Sequence, residues 1–564
     1  MRFTVKAEKA ETAKAAIEKN SRAIASSLKW TTLPFLAAYA LIGCAEPEQD
    51  AALEESSLPA GEIAQNEGAL DLADVPYNDP LQYSDSPTAS LSRSVEAAAV
   101  THRTWQVDGR TQAYTATTGH LTAFNRRTNK ADASFFYIGY TADGPDGKPD
   151  PARPVTFVYN GGPGSSTVWL LMSSFGPKRN LTNFPQPTPA PSQNRMIDNP
   201  ESILAKTDLV FVNAVGTAYS EAIAPNTNRT FWGVDADANV FAQFIDRYLT
   251  VNGRRSSPKF LLGESYGTLR SGALSLILQN MGVHLNGITL HSSILDYGTS
   301  GNIDGLLPTY GATAWYHQKA AEPYKSMNIR DYVAFLRTYT SQTFQPAYIK
   351  LRNGTLPDSE RRTICADLQD MTGIASQRWY DGRFEISNFR STLISGRVVG
   401  RLDSRVVGSS GDPSDAANSN TPLMFPPYLK DDLKYGTSSP FRAMSNAISY
   451  WNWSHNGSTD PDVTVDLAET MKKNPDMKVF SVNGYYDVAT PFYQAELDLA
   501  GMPITPDLRK NISYAFYTSG HMVYLDNSQR TLQRNDFFTF YDHAMSDPAL
   551  LRRVTERQLL VAGL

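Results

Sequence analysis

The stretch 259-KFLLGESYGTLRSGALSLILQ-279 constrains this chain more than any other. Its first six residues, KFLLGE, read as a buried strand, and LRSGALSLILQ from 269 reads as a helix. Only a tight turn separates them. A strand that runs so directly into a helix belongs to the βαβ rhythm of a mostly parallel sheet. Glycines at 263 and 267 permit the sharp turn that lifts the hydroxyl of Ser265 above such a sheet.

The same rhythm continues on both sides. The buried-type strand 153-RPVTFVYN-160 runs into the glycine-rich 160-NGGPGSS-166, and 208-DLVFVNAVGTAYS-220 ends in another glycine-containing loop. Between that loop and the Ser265 turn, 235-DADANVFAQFIDRYL-249 places apolar residues at 240, 241, 244, 245, 248 and 249. That is the stripe of an amphipathic helix with acidic residues at its start. Earlier, 113-AYTATTGHLTAF-124 and 134-SFFYIGYTA-142 alternate as strands of an antiparallel opening. From 297 to 460 the rhythm breaks, with a helical segment over 330–354 and a loop over 404–422. It resumes with strand 477-MKVFSVN-483, a turn to Asp487, strand 511-NISYAFYT-518, a turn to His521 and a last amphipathic helix over 527–546. The expected fold is α/β. A core with a mostly parallel central sheet is built from 96–296 and 461–564, and a largely helical lid is inserted at 297–460.

Charge and cysteine usage narrow the function classes. The net charge of -5 offers no basic patch, so no nucleic-acid partner is expected. Two cysteines rule out a disulfide scaffold, and Cys365 reads as a small buried residue. Neither a metal-ligand cluster nor a phosphate-binding loop is present in the sequence, so no cofactor is implied.

At the N-terminus, seven Lys/Arg against three Glu precede the apolar run 31-TTLPFLAAYALIGC-44, which has the length of a signal-peptide core and is too short to span a bilayer. Its end, Leu41-Ile42-Gly43-Cys44, resembles the bacterial lipobox. On that reading Cys44 is lipidated, the membrane is a partner through the lipid anchor, and the protein is exported to the periplasm or cell envelope. A plain secretory signal and a short buried helix are the alternatives. The leader over 1–44 is long for its class, and a downstream start codon would account for that. Residues 45–95 hold eleven Asp/Glu and a single Arg, the composition of a disordered linker.

A serine nucleophile needs a base, and the base needs an orienter. On sheets of this kind the order along the chain is Ser, then Asp or Glu, then His. Two histidines lie late, His521 and His543. His543 sits inside the terminal helix and reads as a surface or packing residue. His521 follows a strand by a short Ser-Gly loop, and Asp487 lies just past a strand end in 483-NGYYDVATP-491. Ser265, Asp487 and His521 therefore fall in the required order.

Taken together, NGGPGSS, GESYG, NGYYDVATP and SGHMV resemble the signature blocks of the serine carboxypeptidases, the S10 peptidases, and DLVFVNAVGTAYS resembles that family between its first two blocks. The likeness covers roughly 100–564, strongly in the core and weakly in the insertion. It implies an α/β-hydrolase fold with Ser265 as nucleophile, His521 as general base and then acid, and Asp487 as orienter. It further implies an oxyanion hole from the backbone N–H groups of Gly162 and Tyr266, with Asn160 and Glu264 holding the substrate's terminal carboxylate. Met522 would line the pocket for the leaving residue, or pack in the core. Three departures stand out: Ser165 replaces a disulfide-bonded cysteine, Tyr159 replaces a tryptophan, and Met-Val-Tyr replaces Met-Val-Pro after His521. With a lipobox present, the sequons at Asn180, Asn228 and Asn353 read as chance.

The expected activity is a serine carboxypeptidase that trims peptides with free C-termini through an acyl-enzyme, favoured at mildly acidic pH. An acyltransferase or esterase using the same triad is the runner-up, and the intact triad disfavours a binding protein with a dead site. Glu264 is awkward beside a nucleophile unless it is protonated and donates a hydrogen bond to the substrate's carboxylate.

Overall fold

Nine strands lie side by side through the centre of the molecule: β1 (Ala98–Val107), β2 (Arg110–Phe124), β3 (Ala131–Ala142), β4 (Val155–Tyr159), β5 (Asp208–Val212), β6 (Lys259–Glu264), β7 (Gly287–His291), β8 (Lys478–Gly484) and β9 (Ile512–Tyr517). Their order is β9-β8-β7-β6-β4-β5-β3-β2-β1, and the two-residue strand Glu221–Ala222 pairs with β3. Neighbours from β9 to β5 are parallel, whereas β5, β3, β2 and β1 pair antiparallel. This computed structural model describes residues 72–144, 146–185, 195–418 and 421–546. The expected leader with Cys44, and residues 45–71 of the expected linker, lie outside them.

The mixed sheet follows from its sequences. β4 to β7 are buried along their whole length, so both faces need cover and the strands read as apolar runs. Alternate residues feed opposite layers: Phe157 and Leu261 face one core, and Val158, Phe260 and Leu262 the other. Helices α1 (Val234–Val251), α2 (Tyr266–Asn280) and α3 (Thr464–Lys473) cover the first face. The second is covered by α4 (Asn527–Met545), through Phe537, Phe540 and Tyr541, and by 425–435. The sheet, its helical cover and the Ser265 turn are those of an α/β-hydrolase.

Two expected boundaries are corrected. Residues 72–95 are not linker. Tyr77–Asn78 pairs in parallel with Tyr435–Gly436, and Tyr83 and Leu91 are buried in the core layer. The acidic count misled because one of those acids is structural. Asp79 accepts hydrogen bonds from Tyr435 Oη (2.6 Å), Tyr83 Oη (2.9 Å) and the Leu81 N–H (2.9 Å), and His120 Nε2 lies 3.2 Å away. The insertion also ends earlier than expected. A separate helical cluster spans 303–399, around Tyr332, Leu336, Leu368 and Trp379. By contrast, Phe425, Tyr428, Ala447 and Trp451 pack in the sheet's own layers, so the chain has returned to the core well before 460. Among the described residues no helix is long and apolar enough to cross a membrane.

Candidate active site

The site is assembled at the C-terminal ends of β6, β8 and β9. Ser265 has φ of 60° and ψ of -129°, a backbone state rarely adopted by residues with a side chain. The strain is fixed by its neighbours: a Cβ on Gly263 would strike the Gly267 carbonyl, and one on Gly267 would lie 3.0 Å from the Tyr159 carbonyl. Glycine at both flanks is thus a packing requirement of the turn. Tyr266 opens α2, where backbone N–H groups have no partner within the helix.

Asp487 and His521 meet directly. His521 Nδ1 lies 2.7 Å from Asp487 Oδ2, with both side chains buried. The other carboxylate oxygen accepts from the N–H groups of Ala489 (2.9 Å) and Thr490 (3.0 Å), and the Thr490 hydroxyl donates to Asp487 Oδ2 at 2.7 Å. Four donors therefore fix the carboxylate. Burial pulls the His521 pKa down, but the charge and hydrogen bond of Asp487 outweigh it and the net shift is upward. The β7 exit ties this pair to the serine turn. Ser265 N–H donates to the His291 carbonyl (3.0 Å), and Ser292 Oγ donates to the His521 carbonyl (2.6 Å).

Asn160 and Glu264 also meet, with Asn160 Nδ2 donating to Glu264 Oε1 at 2.6 Å. Burial raises the Glu264 carboxyl to about 7, against the opposing effects of His521, Tyr524 and Asn160. The charge of Asp487 adds to the rise. Gly162 has φ of 107°, in the region that favours glycine. Its neighbour Gly161 is needed for a different reason: a Cβ there would lie 2.5 Å from the Tyr266 backbone nitrogen. The glycine-rich turn thus rests against the start of α2. Met522 is buried within the core layer. Cys365 is free and buried.

Several contributors were not foreseen. Arg270 is buried, pairs with Asp237 at 2.6 Å and donates Nη1–H to the Asn160 carbonyl at 2.9 Å, which holds the exit of β4. His291 Nδ1 sits 3.5 Å from Glu264 Oε2, and Gln533 Nε2 is 3.0 Å from its other nitrogen. Burial holds this imidazole neutral, down to about 3. Tyr524, the departure in the Met-Val-Tyr block, is buried, with its ring centroid 5.5 Å from that of His291. Where Ser165 replaces the family's cysteine, backbone bonds serve instead: Ser166 N–H to the Ala443 carbonyl and Ser445 N–H to the Gly164 carbonyl, each 2.8 Å. Only the Tyr524 and Ser165 positions carried a signal, as breaks in the motifs. Among the described residues no group of three or more His, Cys, Asp or Glu is placed to hold a metal.

Residues 109–329 match the family model for serine carboxypeptidase. The protein is a hydrolase of the serine-carboxypeptidase type. The matched span contains Asn160, Gly162, Glu264, Ser265 and Tyr266, and stops short of Asp487 and His521. No curated protein matches this chain. Among solved structures, it is similar to Kex1(delta)p, a prohormone-processing carboxypeptidase from Saccharomyces cerevisiae, at 14% identity over 76% of this chain and 91% of that one, with a TM-score of 0.48. A thermostable carboxyl esterase from Bacillus coagulans is 14% identical over 76% of this chain and 99% of that one, TM-score 0.32. A proline iminopeptidase from Mycobacterium smegmatis is 11% identical over 79% and 99%, TM-score 0.29. Likenesses this remote carry no argument about activity.

Proposed function

We propose that the protein releases C-terminal residues from peptides through an acyl-enzyme formed on Ser265. The observation that carries this reading is the Asn160–Glu264 pair beside the nucleophile. In the proposed step His521 Nε2 takes the Ser265 proton as Oγ attacks the scissile carbonyl, while Asp487 holds the imidazole and stabilises its charged form. The N–H groups of Gly162 and Tyr266 receive the oxyanion, and His521 then returns the proton to the departing amino acid. Water repeats the sequence to free the acyl group.

Glu264 has the character this task needs. With its pKa pushed up to about 7, it is mostly protonated on the acid side of neutrality and can donate to the leaving residue's carboxylate, as Asn160 Nδ2 can. The sign is definite. As pH rises through about 7 the group ionises and repels that carboxylate, so peptide affinity falls. His521 must lose its proton to act as base, which limits turnover on the acid side. Peptide hydrolysis is accordingly expected in the neutral to mildly acidic range, and ester hydrolysis keeps only the acid limb of the two. An esterase or acyltransferase would need no carboxylate-reading pair.

Export with a lipid on Cys44 is proposed on the lipobox-like sequence alone. For the activity, a short peptide and its C-terminal amide are incubated separately and followed by mass spectrometry. Stepwise loss from the free acid, blocked by a serine-directed organophosphate, is expected, with the amide cut far more slowly. Trimming from the N-terminus, or internal cleavage, would overturn the exopeptidase reading.

A further inference from the structure

The segment 443–455 touches both turns assigned to the oxyanion hole. On one side lie the paired backbone bonds to Ser166 and Gly164. The fit there is close, since a Cβ on Gly164 would lie 3.0 Å from Ser445 Oγ. On the other side, the Trp451 ring packs edge-on to Tyr266 with centroids 5.2 Å apart at 83°. Between them, Asn452 exchanges backbone bonds of 3.0 Å with Trp232 and Val234 at the start of α1.

The segment ends in a clamp. His455, 4% exposed, places Nδ1 2.6 Å from Asp235 in the first turn of α1 and Nε2 2.9 Å from Asp466 in the first turn of α3. An imidazole can donate from both nitrogens only as the cation. A neutral ring would leave one short contact without a proton.

We infer that His455 is a positioning residue for the oxyanion hole: by clamping Asp235 and Asp466 it fixes segment 443–455, which braces both oxyanion-forming turns. His455 never touches substrate and acts through the backbone of Gly162–Ser166 and the ring of Tyr266. Its charged neighbours are Asp466 and Asp235, one from each helix packed against it, and Asn456 Nδ2 approaches from its own loop. The Asp466 hydrogen bond is the main cause that raises this histidine to about 9, with burial opposing and Asp235 adding. The clamp is therefore charged at neutral pH and lost as pH rises through about 9.

The test uses a small neutral ester, whose turnover needs the oxyanion hole but not the carboxylate reader. The inference rests on the site proposed above, and Ser265→Ala separates the two failures: if it leaves ester turnover intact, the site itself is wrong. With that control passed, wild-type kcat is expected to fall above pH about 9 with KM unchanged, and tryptophan emission to shift with the same midpoint. His455→Gln should lower kcat at pH 7 about tenfold, less than the 10²–10³ for losing a donor outright, and abolish the alkaline limb. His455→Lys should restore most of kcat and move the limb upward, because a lysine holds its proton longer. A wild-type kcat that stays flat from pH 7 to 10 would overturn the inference, whether or not the variants fold. So would a fall that tracks global unfolding by circular dichroism.

Discussion

At the residue scale, single atoms decide whether the site works. Gly161 is the sharpest case because its role is purely steric. A methyl group there would meet the Tyr266 backbone nitrogen, and backbone on both sides leaves nothing flexible to yield. Gly161→Ala should therefore lower ester kcat about 100-fold, the scale of losing an oxyanion donor, without changing the titration of His521. A variant within a few-fold of wild type would show that the two turns need not touch. The same scale explains what the sequence revealed and what it hid. Ser265, Asp487 and His521 stood out as candidates because each follows a strand in a fixed order, and order survives in a linear text. His291 was not: in 287-GITLH-291 it reads as the end of a strand, and only the pairing of β6 with β7 brings it behind Glu264. Gly161 was visible as a glycine, but its contact with α2 was not.

At the element scale, periodicity carried the strands and helices of the core well. The buried runs of β4 to β7 and the stripe of α1 are strong signals because core burial depends on them. The inserted region was readable as helical and different, but its limits were not. Where a helix packs depends on its partners, and the apolar faces at 421–431 and 447–451 look no different from those of 329–339. The cluster over 303–399 has its own core, with Trp379 fully buried in it. Trp379→Ala should cost that cluster about 3–5 kcal/mol. Limited proteolysis should then cut first between 303 and 399, while α1, α2 and α4 stay protected. Simultaneous cutting throughout the core would show that the insertion and the sheet unfold as one unit.

At the scale of the whole molecule, the chain is fastened by contacts between its distant parts. Asp79 and Tyr435 lie 356 residues apart, and their hydrogen bond holds the 72–95 segment across the sheet edge. No local pattern announces such a contact, which is why an acidic, alanine-rich stretch read as linker. Burial pushes the Asp79 carboxyl up, but His120, Tyr435 and the Leu81 N–H outweigh it and bring it down to about 2. A depressed carboxyl pKa stabilises the fold above its ordinary value near 4, and the contribution is lost as pH falls through about 2. Asp79→Ala takes the acceptor from the Tyr83 and Tyr435 hydroxyls and from the Leu81 N–H, and should cost about 3 kcal/mol. Its deficit in thermal unfolding should be full at pH 7 and shrink toward pH 2. An unchanged melting temperature would return 72–95 to the status of a tether.

On the proposed function, everything turns on Glu264, beside the nucleophile, reading the substrate's C-terminal carboxylate in its protonated form. The most direct measurement is KM for a free-acid peptide from pH 5 to 8, in the wild type and in Glu264→Gln, with a neutral ester as control. Wild-type peptide KM is expected to rise as pH passes about 7 while the ester KM does not, and the glutamine variant is expected to lose the pH dependence. A wild-type peptide KM that stays level across that range would contradict it.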